Sequence, residues 1–476
     1  MSDYNFLMES KLSPEQDGVL SLISRAAFEQ GFNLYLVGGA VRDLTYGQQV
    51  VRDLDFAVEG DPLKLVRRLE SKDSSPLTGL ATRAGAARTR PLALEYQEFD
   101  AHAGALELWF SNGVRVELGQ CREDVVSRTG QRAESRPATI FEDLRRRDFS
   151  INAMAISLHP NSRGLLLDPT NGAGDIERHE LRVLHPRSFS EDPVRIYRIL
   201  RFGLRLDFTI EERTKNYLEA ALENHAWERL TPEQQGRELR AILQEADPSR
   251  ILKMLAERKL LGGLDKKLAS IRITYDHFSK SRSAAGLGQG VDPYLVNFLS
   301  LVEKLGSNEK QRMAKKVLRV GNVIKEALSL EHDAKKLIRV LSGPKAALPH
   351  QVYNLLSKES RNLLLYLLVY CPQAKVQSRV KNYLTKYLPM RANLPQAELQ
   401  SLGFKPGPKF DQIIESVFMD ELDGKIKTPQ QLTKALRDRA GIKELPAPPP
   451  PPVRRQRKAK EVVQVTRPNP ARPNPA

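Results

Sequence analysis

Leu34-Tyr35-Leu36-Val37-Gly38-Gly39-Ala40-Val41-Arg42-Asp43, followed by Arg52-Asp53-Leu54-Asp55-Phe56, is the stretch on which the fold turns. The apolar residues 34–37 read as a buried strand running into a two-glycine turn, where bare backbone N–H groups can come close to a phosphate. Asp53 and Asp55 stand two apart on the next strand. Residues i and i+2 of a strand share a face, so both carboxylates can converge on one cation pair. Charged residues are depleted in strands, and their repetition on one face needs a reason. Glycines end strands in many proteins, so the turn carries weight only beside the aspartates. Together they point to phosphoryl or nucleotidyl transfer.

Outward from this stretch the pattern alternates between about 20 and 160. A strand at 34–39 precedes a short helix from Val41 to Tyr46, then a strand at 54–58 and a helix opened by Asp61-Pro62 as N-cap and first helical residue. Residues 71–95 read as an irregular surface insertion. Leu106 to Phe110 and Val114 to Leu118 then flank Ser111-Asn112-Gly113, a hairpin turn. Glu117 on the second of these strands is a third candidate carboxylate; its plain alternative is an exposed strand glutamate. Beyond about 185 apolar residues recur at three- and four-residue spacing, notably over 193–206, 232–245, 249–260, 293–305, 351–370 and 408–422. The expected class is α+β, a mixed α/β head followed by an all-α C-terminal extension.

The chain has 476 residues, 41% of them hydrophobic. At about 100–200 residues per domain this predicts two to four domains. The formal net charge of +16 and pI near 9.7 call for an anionic partner such as polyphosphate, nucleic acid or acidic lipid. Residues 445–476 are Pro-rich and carry seven Lys/Arg against the single Glu461, a composition that cannot bury enough apolar surface to fold. With no run of about 18 apolar residues and no signal-peptide layout at Met1-Ser2-Asp3, a soluble cytosolic protein is expected. Cys121 and Cys371 are too few for a disulfide framework or a cysteine zinc site, and are expected to be packing residues. Neither a solenoid repeat nor a Walker-type loop is present.

The run from Gly38 to Phe56 resembles the first motif of the class II tRNA nucleotidyltransferases and the related bacterial poly(A) polymerases. Further motifs follow in order. Asp143-Leu144-Arg145-Arg146-Arg147-Asp148-Phe149-Ser150-Ile151-Asn152-Ala153-Met154 looks like the family's second motif, and Asp168-Pro169-Thr170-Asn171-Gly172-Ala173-Gly174-Asp175 is similar to its hinge motif. Glu191-Asp192-Pro193-Val194-Arg195 matches its base-selecting motif. The resemblance covers roughly residues 20–265, and more loosely Gly403 to Pro408; the stretches Asp100 to Gly104 and Arg122 to Val125 depart from the family pattern.

The resemblance implies a polymerase β-like nucleotidyltransferase head at 20–160, a nucleotide-selecting helical neck at 161–265, a helical body at 266–395 and a helical tRNA-binding tail at 396–444, followed by the disordered segment 445–476. It implies template-independent addition of C, C and A to tRNA 3′ ends from CTP and ATP, with release of pyrophosphate. Mg²⁺ would be held by Asp53 and Asp55, with Glu117 as third catalytic carboxylate. Gly38 and Gly39 would face phosphate, Arg42 would hold phosphate and brace the turn with Asp43 or simply begin a surface helix, Arg146 and Arg147 would face the triphosphate, and Asp148 and Asn152 the ribose. Asp192, Arg195, Arg198 and Arg201 share one half of a helical wheel drawn through Pro193. An accepting Asp beside a donating Arg complements the amino donor and ring acceptor of cytosine or adenine, and meets a carbonyl in uracil or guanine. The plain readings are Asp192 as an N-cap and Glu191 with Arg195 as an i,i+4 ion pair. Alternatives are a CC-adding or A-adding enzyme, a poly(A) polymerase, or an inactive RNA-binding protein. Asp168 and Asp175 read as turn and helix-start residues.

Overall fold

The structure is a computed structural model that describes residues 3–48, 51–70, 92–100, 105–125, 134–287 and 292–441. The expected insertion falls outside these residues as far as 91, and so does the segment 445–476. In chain order the strands of the head are β1 (Asn33–Val37), β2 (Leu54–Glu59), β3 (Leu94–Asp100), β4 (Ala105–Phe110), β5 (Arg115–Gln120), β6 (Arg122–Val125), β7 (Glu134–Pro137), β8 (Ala155–Ser157) and β9 (Leu166–Leu167). Seven of them make one sheet in the order β3-β4-β5-β2-β1-β8-β9. Only its β2–β5 pairing is parallel, and β6 and β7 form a separate antiparallel pair.

Register positions the site. Val37, the last residue of β1, lies opposite Asp55 of β2, and Asp55 lies opposite Glu117 of β5. The face that carries Asp55 also carries Tyr35, Val37 and Ala57, packed under Ile140 and Leu144 of the helix Ile140–Arg145. That helix starts where Thr139 and Glu142 form a capping box, and the Ile140 N–H donates to Glu59 Oε1 at the far end of β2 (2.7 Å). It ends beside Asp55, which is why Arg146 and Arg147 emerge there. The other face is covered by Pro14–Glu29 and Pro62–Glu70, which pack on each other and against β1 and β5, burying Val19, Leu20, Ile23 and Leu65.

β3 is a strand that the sequence reading assigns in part to the insertion. It sits at the sheet edge, and Tyr96 and Phe99 on it are 56% and 60% exposed, so no clean apolar alternation marks it. Downstream, the expected helices appear as Val194–Leu206, Pro232–Leu243, Pro248–Glu257, Tyr294–Val302 and Pro408–Leu422. The single helix expected over 351–370 is two, Pro349–Leu356 and Arg361–Tyr370. Ser360 separates them by accepting the Leu363 N–H as N-cap (3.2 Å). Among the described residues the longest helix is Gly321–Ser342, which lies outside the periodic runs read from the sequence.

The chain divides into two compact units, one of residues up to 347 with 354–385, the other of 348–353 with the described residues from 386 on. The second has its own apolar core, built on Leu399, Phe410, Ile414, Val417 and Leu436. Cys121 and Cys371 are both buried. Among the described residues no helix is long and apolar enough to cross a membrane.

Candidate active site

Gly38 makes the turn after β1 with φ +66°, a conformation that favours glycine. A Cβ there would lie 3.3 Å from both Arg147 Nη1 and Asp55 Oδ2, and one on Gly39 would lie 3.5 Å from Arg42 Nη2. Gly38, Asp55 and Arg147 therefore meet at one point, and the bare turn leaves the room for it. Asp55 is half-buried, while Asp53 and Glu117 are exposed. Burial pushes the Asp55 carboxyl up to about 7, helped by the charges of Glu117 and Asp53 and opposed by Arg147 and Arg42. Hard divalent cations prefer carboxylate oxygens, and a carboxylate strained upward by its own neighbours is one that a cation would relieve. Among the described residues no three acidic, histidine or cysteine side chains converge as a metal-holding group. The carboxylates that could hold a divalent ion are those of Asp53 and Asp55, with Glu117 in register beside Asp55.

Arg147 is tied to Asp143, donating from Nε (3.1 Å) and Nη2 (2.9 Å) to Oδ2. Arg146 takes the other oxygen of Asp143 (2.6 Å). Asp143 is 1% exposed, and its carboxyl sits below the usual range because these two guanidinium groups outweigh the upward push of burial. This buried acid aims Arg147 at the turn, a role the motif pattern did not reveal.

Arg42 braces the turn. It is 3% exposed; Nε and Nη2 donate to Asp43 Oδ1 (2.8 and 2.7 Å), and Nη1 donates to Asn152 Oδ1 (2.8 Å). Asn152 Nδ2 donates in turn to Asp148 Oδ1 (3.1 Å), which also accepts the Phe149 N–H (2.8 Å). Asp148 Oδ2 lies 2.8 Å from Arg198 Nη2. Burial pushes the Asp148 carboxyl up, yet Arg198, Arg195 and these hydrogen bonds hold it below its ordinary range. The expected Asp148, Asn152 and Arg198 are thus one connected group, anchored to the turn through Arg42.

Arg201 belongs elsewhere. It is buried, with Nε 2.8 Å from Glu238 Oε1 and Nη1 2.9 Å from Glu245 Oε1, and its guanidinium stacks over Phe202 (4.8 Å to the centroid). This is an interior ion triad that fastens the Val194–Leu206 helix to Pro232–Leu243 and Glu245, and it corrects the expectation of a nucleotide-facing Arg201.

Asp192 and Arg195 come together, though by another route than the wheel implied. The helix starts at Val194; Asp192 lies outside it with φ −133° and ψ 89°, at the end of the turn Ser188–Glu191. Its side chain caps nothing in the helix. Oδ1 accepts from Gln234 Nε2 (3.0 Å), and Oδ2 lies 3.6 Å from Arg195 Nε. Glu191 pairs with Arg187 (3.1 Å) instead of Arg195. Both plain readings of the motif are therefore replaced.

The hinge residues are structural in the way their positions imply. Asp168 accepts the Gly172 and Ala173 N–H groups (2.7 and 2.9 Å) at the start of Gly172–Glu177. Asp175 is fully buried and binds Ser150, Arg178 and Arg182.

Residues 34–182 match the model of the poly A polymerase head domain. The chain is 25% identical over 435 residues to an A-adding tRNA nucleotidyltransferase of Geobacter sulfurreducens, a match covering 89% of this chain and 47% of that protein. To an A-adding tRNA nucleotidyltransferase of Halalkalibacterium halodurans it is 27% identical, over 91% of this chain and 94% of the relative. The chain thus spans about half the length of the first relative and nearly all of the second. A solved tRNA-processing enzyme in its apo form I shares the fold, with TM-score 0.50 at 23% identity over 86% of this chain and 98% of that one. Residues 34–182, which hold the turn and the aspartate pair, are thus similar to a poly A polymerase head domain, and the chain as a whole is similar to tRNA nucleotidyltransferases.

Proposed function

We propose that this protein adds nucleotides to the 3′ end of tRNA, building C, C and A from CTP and ATP and releasing pyrophosphate. The observation that carries the reading is Asp55, set by register between Val37 at the mouth of the glycine turn and Glu117 on β5, within reach of Arg147. Asp53 and Asp55 would hold Mg²⁺, which when bound supplies positive charge to the triphosphate and favours deprotonation of the attacking hydroxyl. Gly38 and Gly39 keep the turn open for phosphate, and Arg147 offers the triphosphate a cation that Asp143 has already oriented. Asp148 and Asn152, fixed by Arg42 and Arg198, would meet a ribose hydroxyl, and a group that reads the 2′-hydroxyl favours rNTPs over dNTPs.

In this reading the head at 20–160 does the chemistry and the neck at 161–265 chooses the base through Asp192 and Arg195. The body at 266–395 and the tail at 396–444 hold the tRNA by shape and phosphates, which a basic chain can do without reading sequence. A second reading, addition of the terminal A alone, is favoured by one observation: two relatives that match about nine-tenths of this chain are A-adding.

One experiment separates these. tRNA transcripts ending before the first C, after one C and after CC, and an oligo(A) primer, are incubated with Mg²⁺ and each labelled rNTP singly and paired. Growth of all three transcripts to a full CCA end supports the main reading. Addition only of A to the CC end supports the second, and long A tails on generic RNA contradict both.

A further inference from the structure

The pair assigned above to base selection is held from outside its motif. Gln234 is the third residue of Pro232–Leu243, where its Oε1 accepts the Thr231 N–H (3.0 Å) and its own N–H donates to Thr231 Oγ1 (3.2 Å). A backbone N–H can only donate, so this capping box fixes which end of the Gln234 amide faces which partner. Nε2 is left to donate to Asp192 Oδ1 at 3.0 Å. On the other side Arg195 Nη1 donates to Ser188 Oγ (2.6 Å) and Nη2 to the Arg146 carbonyl (2.9 Å). Two atoms remain uncommitted: Asp192 Oδ2 and Arg195 Nε, 3.6 Å apart. Arg195 Nε is buried without a hydrogen-bond partner, an arrangement that a native protein seldom leaves unexplained.

We propose that Gln234 is a positioning residue for nucleotide selection. By occupying Asp192 Oδ1 it confines the carboxylate to one acceptor, Oδ2, beside one donor, Arg195 Nε, which matches the amino donor and ring-nitrogen acceptor that cytosine and adenine share, whereas uracil and guanine present acceptor and donor in exchanged positions. A carboxylate free to rotate would present either oxygen at variable geometry and discriminate less. The inference rests on the base-selecting reading of Asp192 and Arg195.

The test measures dissociation constants of CTP, ATP, UTP and GTP for the full chain with Mg²⁺ and without RNA, together with thermal stability. Gln234→Glu keeps a residue that completes the capping box but replaces the donor facing Asp192 by an acceptor. Its preference for CTP and ATP over UTP and GTP should fall by about tenfold or more, the scale of one charge-assisted hydrogen bond. Thr231→Ala removes the capping hydroxyl while leaving the Asp192 contact; it should lower Tm and keep the preference. Wild-type preference in Gln234→Glu, or equal loss of preference in both variants, would overturn the inference. If the unsubstituted protein binds all four nucleotides alike, it is the role of Asp192 and Arg195 that falls, and the inference with it.

Discussion

Replacing Arg201 by Met would leave the carboxylates of Glu238 and Glu245 buried without the guanidinium they share. Both are under a tenth exposed, and removing one partner of a buried ion pair costs about 3–5 kcal/mol because the remaining charge is uncompensated. Glu245 keeps Arg52 at 3.4 Å and Arg205 at 3.9 Å, so most of the loss falls on Glu238 and the lower end, about 3 kcal/mol, is expected. In a compact unit spanning residues up to 347 with 354–385, the unfolding entropy of about 2.1 cal/mol/K per residue makes 1 kcal/mol worth about 1.3 °C, so Tm should drop by roughly 4 °C. Urea and thermal unfolding of the full chain near neutral pH would measure it. Adding Glu238→Gln to Arg201→Met should recover much of the stability, since it removes the orphaned charge. Below the melting transition, the Arg201→Met protein should bind CTP and ATP as the parent does. A stability loss below about 1 kcal/mol together with weakened nucleotide binding would refute the placement of Arg201 in the interior triad and restore it to the nucleotide site.

The Asp55 carboxyl is pushed up to about 7 from an ordinary 3.8, so the fold disfavours its ionised form: the penalty is absent below about pH 4, grows as pH rises, and is complete above about pH 7. Asp55→Asn should therefore stabilise the metal-free protein by about 1–2 kcal/mol at pH 8, within a ceiling of about 4 kcal/mol set by the shift. The gain should vanish toward pH 4 and shrink when Mg²⁺ is added to both proteins; destabilisation at pH 8 would count against it. Gly38→Ala forces a side chain into the left-handed region at about 1–2 kcal/mol and presses a methyl against Asp55 and Arg147, so incorporation should fall far more than tRNA binding; calorimetry and single-turnover incorporation, run side by side, check this.

How far the site was legible depends on where each partner lies in the chain. Asp53, Asp55 and Glu117 could be grouped because strand alternation and a short hairpin are local rules. The covering helix Ile140–Arg145 is announced by its own capping box, Thr139 with Glu142. Arg201 was misassigned because its partners lie 37 and 44 residues further on, and one helical wheel cannot show what a second helix brings. Gln234 escaped for the same reason, being 42 residues from Asp192. A uniform 100° step carried back through Pro193 puts Asp192 on the helix, whereas the backbone leaves the helical region before the proline. β3 was lost because an edge strand can leave its aromatic residues exposed.

The central claim is that Asp53 and Asp55 carry the chemistry while other parts of the chain bind and choose. It is tested most directly by single-turnover nucleotide incorporation into a tRNA lacking its 3′ end, measured with Mg²⁺ for the parent, Asp53→Ala and Asp55→Ala proteins, alongside tRNA binding by each. The account predicts loss of incorporation in both variants with tRNA affinity retained. Turnover near the parental rate in either variant would contradict it.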